Sequence, residues 1–110
     1  MPEPEAKGIF IAITECADPS REDDYNRWYN EEHLPTYIGL GPFFKGTRWV
    51  NTDPASPYKY LALYETTWDD PLAARNAANA KMAELQAAGK QAPVHDCLRV
   101  VFWGTFRRVT

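Results

Sequence analysis

The sequence predicts an α+β sandwich in the split order strand, helix, strand, strand, helix, strand, and three observations carry that prediction. Apolar runs near the two ends, Gly8 to Thr14 and Leu98 to Phe106, have the composition of strands covered on both faces. Two segments of helical periodicity follow and precede them, Arg21 to His33 and Pro71 to Ala88. Between the helices stand two further strand-like runs divided by a proline-bearing turn.

Each element has its own justification. In the first strand Ile9, Ile11 and Ile13 fall on one face and Phe10 and Ala12 on the other. Ser20 with Asp23 three residues on resembles a capping box, and Glu22 to Asp24 suit the positive end of a helix dipole, so the first helix starts near Arg21. Pro35 makes helix improbable past His33 or Leu34. Gly39 to Pro42 reads as a bend, Phe44 to Val50 as strand two, Asn51 to Pro57 as a turn and Tyr58 to Thr67 as strand three, so these two strands form a hairpin. Asp69, Asp70 and Pro71 open an alanine-rich helix with Ala74, Ala78, Met82 and Leu85 at helical spacing, and Gly89 offers its stop. This order is that of a ferredoxin-like sandwich.

The chain has 110 residues, 45% of them hydrophobic, enough for one core and too few for two. Residues 1–7 are expected to be a flexible N-terminus and 8–110 one domain. Two helices cover one sheet face, yet strands one, three and four are apolar on both, which predicts a face-to-face homodimer with a cavity between sheet and helices. A net charge of -3 with scattered lysines and arginines argues against nucleic acid or a membrane surface as partner. No apolar stretch approaches the ~20 residues of a spanning helix, and Met1 to Gly8 is acidic and proline-bearing rather than signal-like, so a cytoplasmic location is expected. Cys16 and Cys97 form no CxxC pair and indicate neither a disulfide framework nor a metal site.

Chemistry concentrates in Asp24 to Pro35. On an ideal helix Tyr25, Trp28, Tyr29 and Glu32 share one stripe with His33 at its edge, while Asp23, Arg27, Asn30 and Glu31 point away. An aromatic wall desolvates ionisable groups, pushing a glutamate towards its neutral acid and holding a histidine neutral. Glu32 could equally pair with a distant arginine such as Arg48. His95, in a proline-flanked loop, is expected to be solvated.

The segment Tyr25 to Pro35 (Tyr, Asn, Arg, Trp, Tyr, Asn, Glu, Glu, His, Leu, Pro) resembles the helix end of EthD-like dimeric α/β-barrel proteins. The bend Gly39 to Phe44, the strand Tyr60 to Glu65 and the aromatic last strand fit the same pattern. The resemblance implies a barrel-forming dimer and a pocket for a small, largely apolar molecule, often from aromatic, polyketide or steroid metabolism. Related barrels include cofactor-independent monooxygenases, isomerases, dehydratases, haem-degrading enzymes and proteins without assigned activity.

His33 is the candidate general acid or base, with Glu32 assisting. Trp28, Tyr29, Tyr37, Trp49, Tyr60, Tyr64 and Trp103 are candidate ligand contacts; Tyr60 and Tyr64 share a strand face with Ala62. No GxSxG elbow, GxGxxG fingerprint, phosphate loop or HxxxH pair occurs, and a haem would have only His33 to bind it, so no cofactor is expected. The expectation is a cofactor-independent isomerase or dehydratase acting on a small aromatic or polycyclic oxygenated metabolite. The alternatives are a cofactor-free monooxygenase and a non-catalytic carrier of an apolar molecule.

Overall fold

A computed structural model describes residues 3–110. Its elements are β1 (Gly8–Cys16), a 3-10 turn (Pro19–Arg21), α1 (Glu22–Trp28), a π turn (Tyr29–His33), α2 (Leu34–Gly39), β2 (Lys45–Val50), β3 (Tyr60–Thr66), α3 (Pro71–Ala87) and β4 (Leu98–Arg107). The sheet is antiparallel in the order β2-β3-β1-β4, the ferredoxin-like arrangement. Of the segment expected to be flexible, residues 1 and 2 lie outside the described residues. Lys7 donates its backbone N–H to the Thr66 carbonyl at 2.9 Å and accepts from Arg108 N–H at 2.8 Å.

Register fixes the two faces of the sheet. Phe10 sits opposite Tyr64 and Thr105, and Ala12 opposite Ala62 and Trp103, all on the helix-covered side. Ile11 sits opposite Leu63 and Gly104, and Ile13 opposite Leu61 and Phe102, on the other side. A bulge in β4 places Val101 between the partners of Ile13 and Thr14. The outer side has no covering helix: Trp49, Phe102 and Phe106 are exposed there, beside half-buried isoleucines and leucines.

Close packing on the covered side follows from small residues. Ala74 and Ala78 are fully buried and let α3 approach the sheet. At its start, a Cβ on Gly8 would stand 2.9 Å from the Pro71 ring, so only glycine admits that contact. Asp70 caps α3 by accepting from Leu72 N–H and Ala73 N–H at 3.0 and 3.2 Å, and Gly89, at φ 71°, ends it.

The first helical region departs from expectation twice. Ser20 is not its cap, because the Asp18 carboxylate takes both the Ser20 N–H and hydroxyl, at 3.0 and 2.7 Å. Pro35 does not end it. The Leu34 N–H reaches back to the Tyr29 carbonyl, a π turn, and Pro35 then occupies the first turn of α2, where its missing N–H costs little. No helix among the described residues is long and apolar enough to cross a membrane.

Candidate functional site

The π turn has a direct consequence for side-chain direction. One extra residue in that turn keeps Tyr29 and His33 on the same side and carries Glu32 outward. Glu32, expected on the aromatic stripe, is therefore exposed, while His33 is half-buried. The His33 ring stacks on Trp28 (centroids 4.8 Å, planes 21° apart) and meets Tyr29 edge to face at 5.0 Å.

His33 opens onto a cavity of about 320 Å³ between the sheet and the helices. Phe10, Ala12 and Thr14 of β1, Tyr64 of β3 and Trp103 of β4 form its floor. Tyr29, His33 and Tyr37 supply one wall, and Arg75, Asn79, Met82 and Gln86, successive turns of α3, supply the other. Volume and lining suit a small planar molecule. A larger open cleft of about 660 Å³ lies between the two chain ends, among Glu5 to Lys7, Asp69, Asp70 and Arg107 to Thr110, and holds no histidine, cysteine or aromatic ring.

Burial is the main cause, and the Arg48 charge the lesser one, that pulls the His33 pKa down to about 4, so the imidazole is neutral at pH 7. Neither of its ring nitrogens hydrogen-bonds to another described residue, which leaves both for a ligand. The surrounding phenols keep their protons: burial raises Tyr25 to about 12 and raises Tyr29, Tyr37 and Tyr64 as well. The Tyr29 and Tyr64 hydroxyls are 3.3 Å apart. The Asn79 amide satisfies both neighbours when its nitrogen donates to Tyr37 Oη at 3.0 Å and its oxygen accepts from Arg75 Nε and Nη2 at 3.1 and 3.2 Å. The Tyr37 proton is then free to be donated into the cavity.

Tyr29, Tyr37, Tyr64 and Trp103 thus reach the cavity with His33, and three other expected contacts do not. Trp28 lies behind the imidazole as its stacking partner. Trp49 pairs with Leu61 in register and so projects from the outer face, 59% exposed. Tyr60 shares the inner face but is held under α1, donating to Glu22 Oε2 at 3.0 Å and accepting from Asn26 Nδ2 at 3.1 Å.

Arg48 does not pair with Glu32. Its Nη1 donates to Asn26 and Asn30 at 3.0 and 2.9 Å, and its guanidinium stacks over Tyr29 at 4.2 Å and Tyr60 at 5.0 Å, with buried Nε and Nη2 lacking partners. His95 is not solvated: its side chain is 9% exposed and packs on Trp28 and Tyr25. Its Nε2 meets Asp24 at 2.9 Å while Nδ1 accepts from Cys97 N–H at 3.1 Å. That engages both ring nitrogens, so the nearby His95, Asp96 and Cys97 do not make a ready metal site.

Sequence reasoning named Arg48 only as a partner for Glu32 and passed over Arg75. The available signals were an arginine two residues after Gly46 on the inner face of a strand, and Arg75 with Asn79 one turn apart on the flank of the alanine stripe.

No protein-family profile matches the chain. Two solved structures share its fold. HapK from Hahella chejuensis superposes with a TM-score of 0.61 at 16% identity, over 93% of this chain and 92% of that one. A candidate monooxygenase from Shewanella loihica PV-4 superposes with a TM-score of 0.55 at 16% identity, over 97% and 99%. At such identity the likeness establishes the ferredoxin-like α+β fold alone. Core atranone cluster (CAC) protein 1 of Stachybotrys chlorohalonatus is 33% identical over 58 residues, a match taking in 52% of this chain and 25% of that protein. The match therefore spans only a quarter of the length of that curated relative.

Proposed function

We propose that the chain is a cofactor-independent enzyme that removes a proton from a small aromatic or polycyclic oxygenated metabolite, with His33 as general base, and completes an isomerisation or dehydration. The observation that carries this reading is a neutral imidazole with both nitrogens unengaged on the wall of an aromatic cavity whose lining contains no carboxylate. Loss of a proton beside a carbonyl leaves an enolate. The Tyr37 hydroxyl, hydrogen-bonded through Asn79 to a cation, is placed to donate to its oxygen. The imidazolium then returns the proton to another carbon, or protonates a departing hydroxyl as water.

The likeness of Tyr25 to Pro35 to EthD-like barrels supports the same reading, as does the uncovered apolar sheet face, which we take as the seat of a second copy of the chain. A second reading draws on the Shewanella loihica neighbour, a candidate monooxygenase. There the deprotonated substrate would pass electrons to dioxygen, a CH₂ becoming C=O with one oxygen atom retained and the other leaving as water.

A phenolic anthrone is a probe for both. Under argon in deuterated buffer, the proton-transfer reading expects His33-dependent exchange at the benzylic carbon, lost in His33→Gln. In air, quinone formation with oxygen uptake favours the oxygenase reading. Stoichiometric binding with neither exchange nor uptake would leave a carrier and remove the enzymatic reading.

A further inference from the structure

The cavity carries one charge that no carboxylate among the described residues answers. Its lining includes no aspartate or glutamate, His33 is neutral, and the remaining ionised group is Arg75. Among the described residues the ion pairs engage other cations and leave Arg75 without a carboxylate. Its partners are neutral amides: Asn76 Oδ1 accepts from Nη1 at 3.2 Å, and Asn79 Oδ1 accepts from Nε and Nη2. A guanidinium has five N–H donors, so two stay unassigned. The group is also held in place, with its carbon 3.9 Å from the centre of the Trp103 ring.

A half-buried cation with only amide partners is incompletely compensated, and a planar guanidinium pinned on an indole presents its free donors in a set plane. Oxygen anions on flat molecules match that geometry, because the rings can lie against Phe10 and Tyr64 while the anion meets the fork. We infer that the ligand is a planar aromatic acid whose anionic oxygen, carboxylate or ionised hydroxyl, is bound by Arg75. This rests on the reading of the cavity as a substrate site and adds the charge of the substrate to it.

Binding of three probes to the full chain at about pH 8 tests it by calorimetry: 2-naphthoate, 4-nitro-1-naphtholate and the neutral 2-naphthamide. Wild type is expected to bind at least one anion about tenfold or more tighter than the amide, and the preferred anion tells carboxylate from phenolate. Arg75→Gln should abolish the preference and leave 2-naphthamide binding within about threefold of wild type, which also reports an intact cavity. Arg75→Lys, keeping the charge without the fork, should retain part of it. Equal binding of all three probes by wild type, a preference surviving in Arg75→Gln, or no binding of any probe would overturn the proposal. His33→Gln should keep the anion preference. Failure of His33-dependent exchange with that preference intact would therefore sink the catalytic reading and leave this one standing.

Discussion

Arg48 lies over the ring of Tyr29 at 4.2 Å, and Tyr29 meets His33 edge to face at 5.0 Å, so a fixed positive charge stands one ring away from the imidazole. Such a charge disfavours a second one nearby, adding to the effect of burial. Arg48→Met should therefore raise the His33 pKa from about 4 while leaving it below the ordinary 6.5, because burial, the larger cause, remains. A proton NMR titration of the His33 ring reads this directly, and an unchanged value would show the charge to be ineffective.

The same low pKa makes stability depend on acid. Above pH 6.5 His33 is neutral in both folded and unfolded chains and contributes no pH dependence. As pH falls from 6.5 towards about 4, the unfolded chain takes up a proton that the folded one refuses, so the fold loses stability, by at most about 3 kcal/mol. Urea melts at several pH values should show His33→Gln losing less stability than wild type across that window.

Removing one partner from a buried hydroxyl pair should be costly. Thr14 Oγ1 and Tyr25 Oη are 2.6 Å apart, and both residues are fully buried. Thr14→Val leaves the phenol without a partner and should cost about 1 to 3 kcal/mol in denaturant unfolding, as should Tyr25→Phe. The double variant should cost less than the sum, since no orphan remains.

The outer sheet face offers a test of assembly. Ile11, Leu63 and Phe102 belong to that face, and a charge among them would be solvated in a lone chain but buried unpaired in the proposed dimer. Light scattering should find wild type as a dimer at micromolar concentration and Ile11→Glu as a folded monomer. A monomeric wild type would remove the second copy from the functional reading.

Most of the architecture was legible because it depends on period and punctuation. Alternation in β1 and β3, the Asp70 and Pro71 start of α3 and the Gly89 stop report local physics, and all appear where the pattern puts them. The site was less legible. Placing Glu32 beside Tyr29 assumed an ideal α-helix, and the π turn over Tyr29–His33 moved it to the surface while keeping His33 inside. Trp49 required knowledge of register, and His95 required knowledge that its loop folds back onto α1, neither of which a local pattern contains. The two arginines that set the electrostatics are paired through residues distant in sequence, with Arg48 reaching Asn26 and Arg75 lying on Trp103.

The extra residue in β4 acts as a parity setting for the last strand. Val101 is the member without a direct opposite number in β1, and everything after it alternates from there. Were Val101 instead paired in its turn with Ile13, Phe102 would move opposite Ala12 on the covered side and Trp103 opposite Ile11 on the uncovered one. The guanidinium of Arg75 would then lose its indole seat, although no residue that touches it had been changed. Strand inversion of this kind makes a single valine, which pairs with nothing in β1, a determinant of what the hollow beneath the helices can hold.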